Sequence, residues 1–289
     1  MKILITGGNG FIGYSLANTL KLNHDVTVLD KEFTKDFKNI RTIKLDMTNL
    51  DDLKTVSLDY DCIFHFAYVL GVKNFTSYQS EAFKTDNKIS ENFLEVLKSQ
   101  NYKGKIFFAS TSEVYGNCED ENFYCILRDP RGLYSLDKLM FEMKCRSLGL
   151  DIVSLRFFNI VGKDQSSSEG HVIPTFIENI KSNKPIKLDR DGEDVRCFCD
   201  IRDCVNQIVQ ILENPKHNDY YDIGNTKPIR IKDLLSLIET KLKKKAIKEK
   251  GNQNKAISFR QPKNNFKCKY NIEDILKRWY NLFIGHIIS

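Results

Sequence analysis

Short apolar runs alternate with amphipathic stretches through the first half of the chain. Lys2–Thr6 (KILIT), Asp25–Asp30 (DVTVLD), Ile40–Leu45, Cys62–Ala67 (CIFHFA), Lys105–Ser110 (KIFFAS) and Ile152–Phe157 (IVSLRF) read as strands buried on both faces. Helical periodicity covers residues 11–21, 49–57, 79–100 and 134–149 between them. Buried strands separated by helices imply an α/β fold, a parallel sheet with right-handed crossovers. Beyond Gly162 the rhythm loosens: helical patterns at 172–182, 201–213 and 231–243 are broken by loops and short strands. With no repeat or low-complexity linker, the division expected is 1–162 for the sheet domain and 163–289 for a smaller lobe, interleaved with it.

Composition narrows the class only a little. The chain has 289 residues, 41% of them hydrophobic, enough for a proper core and one added lobe. The net charge of +6 traces largely to Lys241–Lys250 (KLKKKAIKEK), where no aromatic residue interleaves with the lysines. That pattern suits a solvated helix end better than a nucleic-acid surface, so no nucleic-acid partner is expected. Eight cysteines lack metal-ligand spacing, which points to free thiols in a reducing compartment and to no metal. No run approaches the ~20 apolar residues of a membrane span, and the N-terminus lacks the form of a signal peptide. A cytoplasmic protein without a membrane partner is the expectation.

Chemistry enters at Thr6-Gly7-Gly8-Asn9-Gly10-Phe11-Ile12-Gly13, which leaves the first strand and opens a helix. Glycines at 7, 10 and 13 allow a tight turn, approach of bare backbone to a pyrophosphate, and close packing of helix on sheet. The helix N-terminus then offers amide hydrogens and a positive dipole end to phosphate. Asp30 ends the second strand near the ~20-residue offset expected of a ribose-gripping carboxylate. A carboxylate there repels a 2′-phosphate, which favours NAD over NADP. Asp46, followed by Met47, ends the third strand and reads either as an adenine contact or as an ordinary loop aspartate. Phe66 and Ala67 end the fourth strand, where a small residue leaves room for the nicotinamide ribose; His65 beside them reads as a packing residue.

A second constellation lies downstream. Tyr134-Ser135-Leu136-Asp137-Lys138 puts a tyrosine and a lysine four apart, on one helix face. Ser110-Thr111-Ser112-Glu113-Val114-Tyr115-Gly116 follows the fifth strand, so its hydroxyls reach the same crevice. A phenol of pKa ~10 is a poor base at neutral pH. A nearby ammonium and a cationic nicotinamide are expected to lower that value, letting Tyr134 take a sugar hydroxyl proton. Thr111 would hold that hydroxyl, and Lys138 would also grip the nicotinamide ribose.

These motifs resemble the extended short-chain dehydrogenase/reductase family, and within it the NAD-dependent nucleotide-sugar epimerases, dehydratases and decarboxylases. The resemblance runs over roughly residues 1 to 280. It continues through Arg156-Phe157-Phe158-Asn159-Ile160-Val161-Gly162, His171-Val172-Ile173-Pro174 and Gly192-Glu193-Asp194-Val195-Arg196-Cys197-Phe198. It implies a Rossmann doubly wound parallel sheet with a smaller C-terminal substrate-binding lobe, NAD as cofactor, and a homodimer paired through the helices at 79–100 and 134–149. It assigns the cofactor to Gly7, Asn9, Gly10, Phe11, Ile12, Gly13, Asp30, Asp46, Met47, Phe66, Ala67, Tyr134 and Lys138. Catalysis falls to Thr111, Glu113, Tyr134 and Lys138, and the nucleotide-diphosphate sugar to Thr111, Ser112, Asn159, Val172, Arg196 and Arg260. Asn159 has a second reading as a backbone cap, Arg196 as a surface ion pair.

The sequence departs from the family at three places. Asp86 stands where the family usually has asparagine on the helix after the fourth strand. Arg196-Cys197-Phe198-Cys199-Asp200-Ile201-Arg202-Asp203 replaces R-D-F-x-x-V-x-D, and Phe259-Arg260-Gln261-Pro262 shifts the C-terminal arginine by one place. The triplet Thr111-Ser112-Glu113 fits a 4,6-dehydratase or a UDP-glucuronate decarboxylase at least as well as a 4-epimerase. Epimerisation asks least of the site and is the reading preferred here; an oxidoreductase releasing a keto product is the remaining alternative.

Overall fold

The structure is a computed structural model of the chain, and it describes residues 1–69, 81–115, 132–162, 165, 170–253 and 259–285. Along the first half run β1 (Lys2–Thr6), α1 (Phe11–Leu20), β2 (Asp25–Asp30), β3 (Arg41–Lys44), α2 (Leu50–Lys54) and β4 (Cys62–His65). They are followed by α3 (Glu81–Ser99), β5 (Lys105–Thr111), a 3-10 turn at Ser112–Tyr115, α4 (Gly132–Ser147) and β6 (Ile152–Phe157). The second half contains β7 (Ile160–Val161), α5 (Val172–Lys181), β8 (Ile186–Leu188), β9 (Val195–Cys197), β10 (Cys199–Asp200) and α6 (Ile201–Glu213). Then come β11 (Tyr220–Ile223), β12 (Pro228–Arg230), α7 (Ile231–Leu242), β13 (Lys248–Lys250), β14 (Phe259–Arg260) and α8 (Ile272–Gly285). The strands expected in the first half all form, with ends within two residues of the reading. Of the helix expected at 79–100, residues 79 and 80 lie outside the described residues, as does Gly116.

The chain divides into two compact units. Among the described residues the first contains 1–69, 81–115, 132–157 and 205–221, and the second 158–162, 165, 170–204, 222–253 and 259–285. The central sheet has seven strands in the order β11-β6-β5-β4-β1-β2-β3. Its pairs are parallel, with β1 between β2 and β4 in registers Thr6↔Leu29 and Thr6↔His65. The seventh strand was not anticipated. Tyr220–Ile223 is exposed at its start and carries no long apolar run, so nothing in its composition marks it.

Burial on both faces explains the continuous apolar runs. In β1, Ile3, Leu4 and Ile5 are all at most 1% exposed although neighbours point to opposite faces. One face carries a cluster of Leu4, Leu29, Ile63, Ile106 and Phe108 with Phe93 of α3 and Phe141 of α4. Strand order reverses between β1 and β4, which makes their carboxyl ends the topological switch point of the sheet.

The second unit builds a separate core from Phe176, Ile177, Phe198, Leu234, Leu235, Ile275 and Trp279. A three-stranded sheet in the order β12-β9-β14 sits in this unit. None of the helices among the described residues is long and apolar enough to cross a membrane.

Phe141 tests the first core. Its ring lies 4.5 Å from Phe108 and 5.1 Å from His65, centroid to centroid, and it is 1% exposed. Phe141→Ala leaves a cavity that the surrounding rings cannot close and is expected to cost about 3–5 kcal/mol. Urea unfolding followed by circular dichroism measures the loss; a change under about 1 kcal/mol would contradict this packing.

Candidate active site

At the switch point the backbone leaves β1 through Gly7, whose φ of +69° favours glycine. A Cβ there would lie 2.5 Å from the Ala67 nitrogen and the Phe66 carbonyl carbon. One at Gly13 would lie 2.6 Å from the Gly7 oxygen. The three turns of backbone therefore pass one another in a space only glycine permits. Gly10 is the N-cap of α1 and makes no side-chain cap bond to its first turn. An uncapped helix N-terminus above a glycine cradle fits a dinucleotide pyrophosphate.

The flanking residues are ordered around that cradle. Asp30 Oδ2 accepts from the Asn9 amide at 2.9 Å, which ties the end of β2 to the loop. Asn9 and Thr34 exchange two hydrogen bonds of 3.2 Å, amide to hydroxyl and backbone nitrogen to side-chain oxygen. Asp46 accepts from the Thr48 amide and hydroxyl at 2.9 and 2.8 Å, closing its own turn. Met47 is buried, and its carbonyl accepts from Asn92 of α3 at 2.8 Å. Phe66 and Ala67 meet the Gly7 turn as described. His65 is buried among Phe93, Phe141 and Tyr68, with Thr6 at 2.7 Å from Nδ1. Burial and the Lys138 charge hold it neutral, well below the usual histidine range.

The four residues assigned to catalysis belong to the first unit, and the structure brings them together. Thr111 ends β5, and its hydroxyl accepts from the Glu113 amide at 3.2 Å. Ser112 and Glu113 form the 3-10 turn that follows. The Tyr134 phenol on α4 shares a hydrogen bond with Thr111 and lies in the field of Glu113. One turn along α4, the Lys138 ammonium rests 3.4 Å from the centroid of the Tyr68 ring and 5.8 Å from that of Tyr134.

The electrostatics of the protein alone add to the picture of the phenol. Tyr134 is not a depressed phenol in the protein alone. Burial pushes it above the ordinary tyrosine range, the Glu113 and Asp86 charges add to this, and the Thr111 hydrogen bond opposes it. Lys138, the anticipated source of relief, is itself lowered by burial, with Asp86 and Asp137 pulling it back up. Burial raises Asp137 to about 6. Asp86 is likewise raised by burial, with Lys138 opposing. The sequence names the lysine; the two carboxyls and the aromatic ring that share its surroundings were not among the residues singled out for the site.

A further network holds the Thr111–Tyr115 segment. Glu142 of α4, 0% exposed, accepts from the Ser110 hydroxyl at 2.6 Å and from Arg156 at 3.1 Å. Arg156 in turn donates to the Tyr115 hydroxyl at 3.1 Å, with its guanidinium 4.0 Å from the Tyr220 ring centroid. Sequence spacing gave no sign of this, because its members come from five elements.

Asn159, Val172, Arg196 and Arg260 all lie in the second unit. Asn159 donates to the Cys197 carbonyl at 3.1 Å, so it does tie backbone together. Val172 opens α5. Arg196 and Arg260 sit opposite each other on parallel strands β9 and β14, which puts both guanidiniums on one face. Arg196 also lies 3.8 Å from Asp194. No cluster of three or more histidine, cysteine or acidic side chains among the described residues is arranged to hold a metal.

The profile of the NAD dependent epimerase/dehydratase family matches residues 3–224. The chain belongs to that family. Among curated relatives, a UDP-N-acetyl-alpha-D-glucosaminuronate decarboxylase from Bacillus cytotoxicus is 30% identical over 78% of this chain and 75% of that protein. UDP-glucuronic acid decarboxylase 1 from Danio rerio is 27% identical over 83% of this chain, which spans 60% of that relative's length. Among solved structures, UDP-N-acetylglucosamine 4-epimerase from Methanobrevibacter ruminantium, in complex with UDP-N-acetylmuramic acid, superimposes with a TM-score of 0.81 at 25% identity. It covers 99% of this chain and 98% of that one. The NAD complex of Thermus thermophilus UDP-glucose 4-epimerase shares the fold, with a TM-score of 0.80 at 20% identity over 99% of both chains. Family membership makes the chain an NAD-dependent enzyme, and the glycine cradle at β1–α1 fits that cofactor.

Gly7→Ala tests the cradle. The added methyl group meets backbone rather than a movable side chain, and its φ is strained. NAD affinity measured by calorimetry is expected to fall at least tenfold, with less cofactor retained on purification. Affinity equal to the parent would refute the close approach.

Proposed function

We propose that the chain oxidises C4 of a nucleotide-diphosphate sugar and returns hydride to the opposite face, a 4-epimerisation. The observation that carries this is the Tyr134–Thr111 hydrogen bond, with Glu113 and Lys138 in the same surroundings. Bound NAD supplies the hydride acceptor and a positive ring. Tyr134 takes the C4 hydroxyl proton, and Thr111 orients that hydroxyl while its own hydrogen bond favours the phenolate. Burial raises the phenol in the protein alone, and in this reading its deprotonation accompanies filling of the site. Asp30 receives the adenosine ribose hydroxyls, and Lys138 the nicotinamide ribose.

Arg196 and Arg260 form the anion site for the diphosphate, as paired guanidiniums suit two phosphate groups. Asn159 and Val172 complete it. The chain also pairs as a homodimer through α3 and α4; Met143 of α4 is 62% exposed and Leu148 after it 48%. Sedimentation showing only monomer would remove the dimer.

A second reading rests on the relatives. Both relatives named above are UDP-uronate decarboxylases, and Thr111-Ser112-Glu113 resembles the triplet of such enzymes. Incubation with UDP-, GDP-, CDP- and dTDP-sugars, uronates included, separates the outcomes. Epimerisation gives a C4 epimer without loss of carbon dioxide and without solvent deuterium on carbon. Carbon dioxide release from a UDP-uronate, or deuterium in the product, would replace it with decarboxylation or dehydration.

Two substitutions assign roles. Tyr134→Phe is expected to lower kcat by ~10²–10⁴-fold with little change in KM, measured on whichever substrate turns over. Arg196→Ala is expected to raise substrate KM roughly ten- to a hundredfold while NAD stays bound. An unchanged KM would remove Arg196 from the diphosphate site.

A further inference from the structure

Between β8 and β9 three consecutive residues have left-handed backbone: Arg190 at φ +49°, Asp191 at +52° and Gly192 at +78°. Glycine enters that region freely, and a Cβ at Gly192 would lie 3.0 Å from the Lys232 backbone nitrogen. Arg190 takes up the same backbone with a Cβ crowded against its own chain, which costs free energy. The turn is pinned from both sides. The Arg190 amide donates to the Asn252 carbonyl at 3.1 Å, and the Asp194 carbonyl accepts from the Ile231 amide at 2.9 Å.

The side chain at this strained position has a defined target. Arg190 Nε donates to Asp194 Oδ1 at 3.0 Å and its Nη2 donates to Oδ2, so both carboxylate oxygens are gripped. The two side chains are 10% and 14% exposed, unlike a solvated surface pair. Arg196 approaches the same Oδ2 only to 3.8 Å, beyond hydrogen-bond distance, and donates to the Val195 carbonyl at 2.8 Å. One carboxylate therefore lies within reach of two guanidiniums, and Arg190 has the closer, two-point hold.

That order bears on anion binding, because a carboxylate and a phosphate compete for the same edge of a guanidinium. We propose that Arg190 is a positioning residue for the nucleotide diphosphate: it holds the Asp194 carboxylate back, so that Arg196 engages the diphosphate rather than Asp194. This rests on the diphosphate role proposed for Arg196. Arg190, Asp194, Arg196 and Arg260 all belong to the second unit, so the whole device is built within it.

Arg190→Gly isolates the guanidinium, since glycine keeps the left-handed turn without strain. The probe is whichever of UDP, GDP, CDP and dTDP binds the NAD-loaded protein most tightly by calorimetry. Its affinity is expected to fall roughly three- to thirtyfold in Arg190→Gly, as Asp194 swings to Arg196. Adding Asp194→Asn removes the competitor and is expected to restore most of the loss. In an Arg196→Ala background, Arg190→Gly is expected to change affinity by less than about twofold, because the two substitutions act through one contact.

An unchanged affinity in Arg190→Gly overturns the proposal. A loss that Asp194→Asn does not restore would trace to the shape of the turn and overturns it too. A loss that persists in the Arg196→Ala background would mean that Arg190 attracts phosphate on its own account, again against the proposal. If Arg196→Ala alone binds the probe as the parent does, or no nucleoside diphosphate binds, the diphosphate site itself is refuted and this inference falls with it. Should Arg190→Gly fail to fold, Arg190→Asn repeats the series, as asparagine also tolerates this backbone.

Discussion

The geometry of the crevice depends on how closely the end of β1 passes the end of β4. Gly7 lies so near Phe66 and Ala67 that a single methyl group would collide with main-chain atoms. That approach lets β1 and β4 stay paired to their last residues, Thr6 opposite His65, and joins them by a side-chain bond at the switch point. The segment after β4 then leaves on a fixed path, with Tyr68 and Val69 gripped from α3. Tyr68 supplies the surface under Lys138, and Lys138 is one turn from Tyr134. A constraint at one glycine is linked in this way to the surroundings of the Tyr134 phenol, through paired strand ends and two hydrogen bonds.

This dependence explains what sequence alone could show. Strands covered on both faces leave uninterrupted apolar runs, so β1, β2, β4, β5 and β6 are plain in the chain. The Gly7–Gly13 motif is equally plain, because each glycine answers a local steric demand. Tyr134 and Lys138 are legible as a four-residue spacing on one helix. These features reside in short stretches of chain and need no knowledge of distant partners.

What was not legible depends on contacts between distant stretches. Tyr220–Ile223 lies beside β6 at the edge of the sheet, where two of its four residues are buried. Glu142, Arg156 and Tyr115 form one ion and hydroxyl network from positions whose spacing carries no motif. The surroundings of the Tyr134 phenol depend on such contacts as well. A lysine four residues away suggests relief of the phenol, but the fold seats that lysine on Tyr68 and turns Glu113 and Asp86 toward the site. Burial then dominates, as it does for any charge without enough compensation in a medium of low polarisability.

The protonated phenol also bears on how the site would act. A tyrosinate in the resting protein would be a standing base, exposed to side reactions whenever the crevice is open. A phenol raised by burial is inert until positive charge enters beside it. Burial also lowers Lys138, and the charges of Asp86 and Asp137 oppose that shift. In a pocket of low polarisability one charge at contact distance outweighs several screened ones at the surface. On the function proposed above, deprotonation would then accompany assembly of the site, with the Thr111 hydrogen bond opposing the effect of burial from the start.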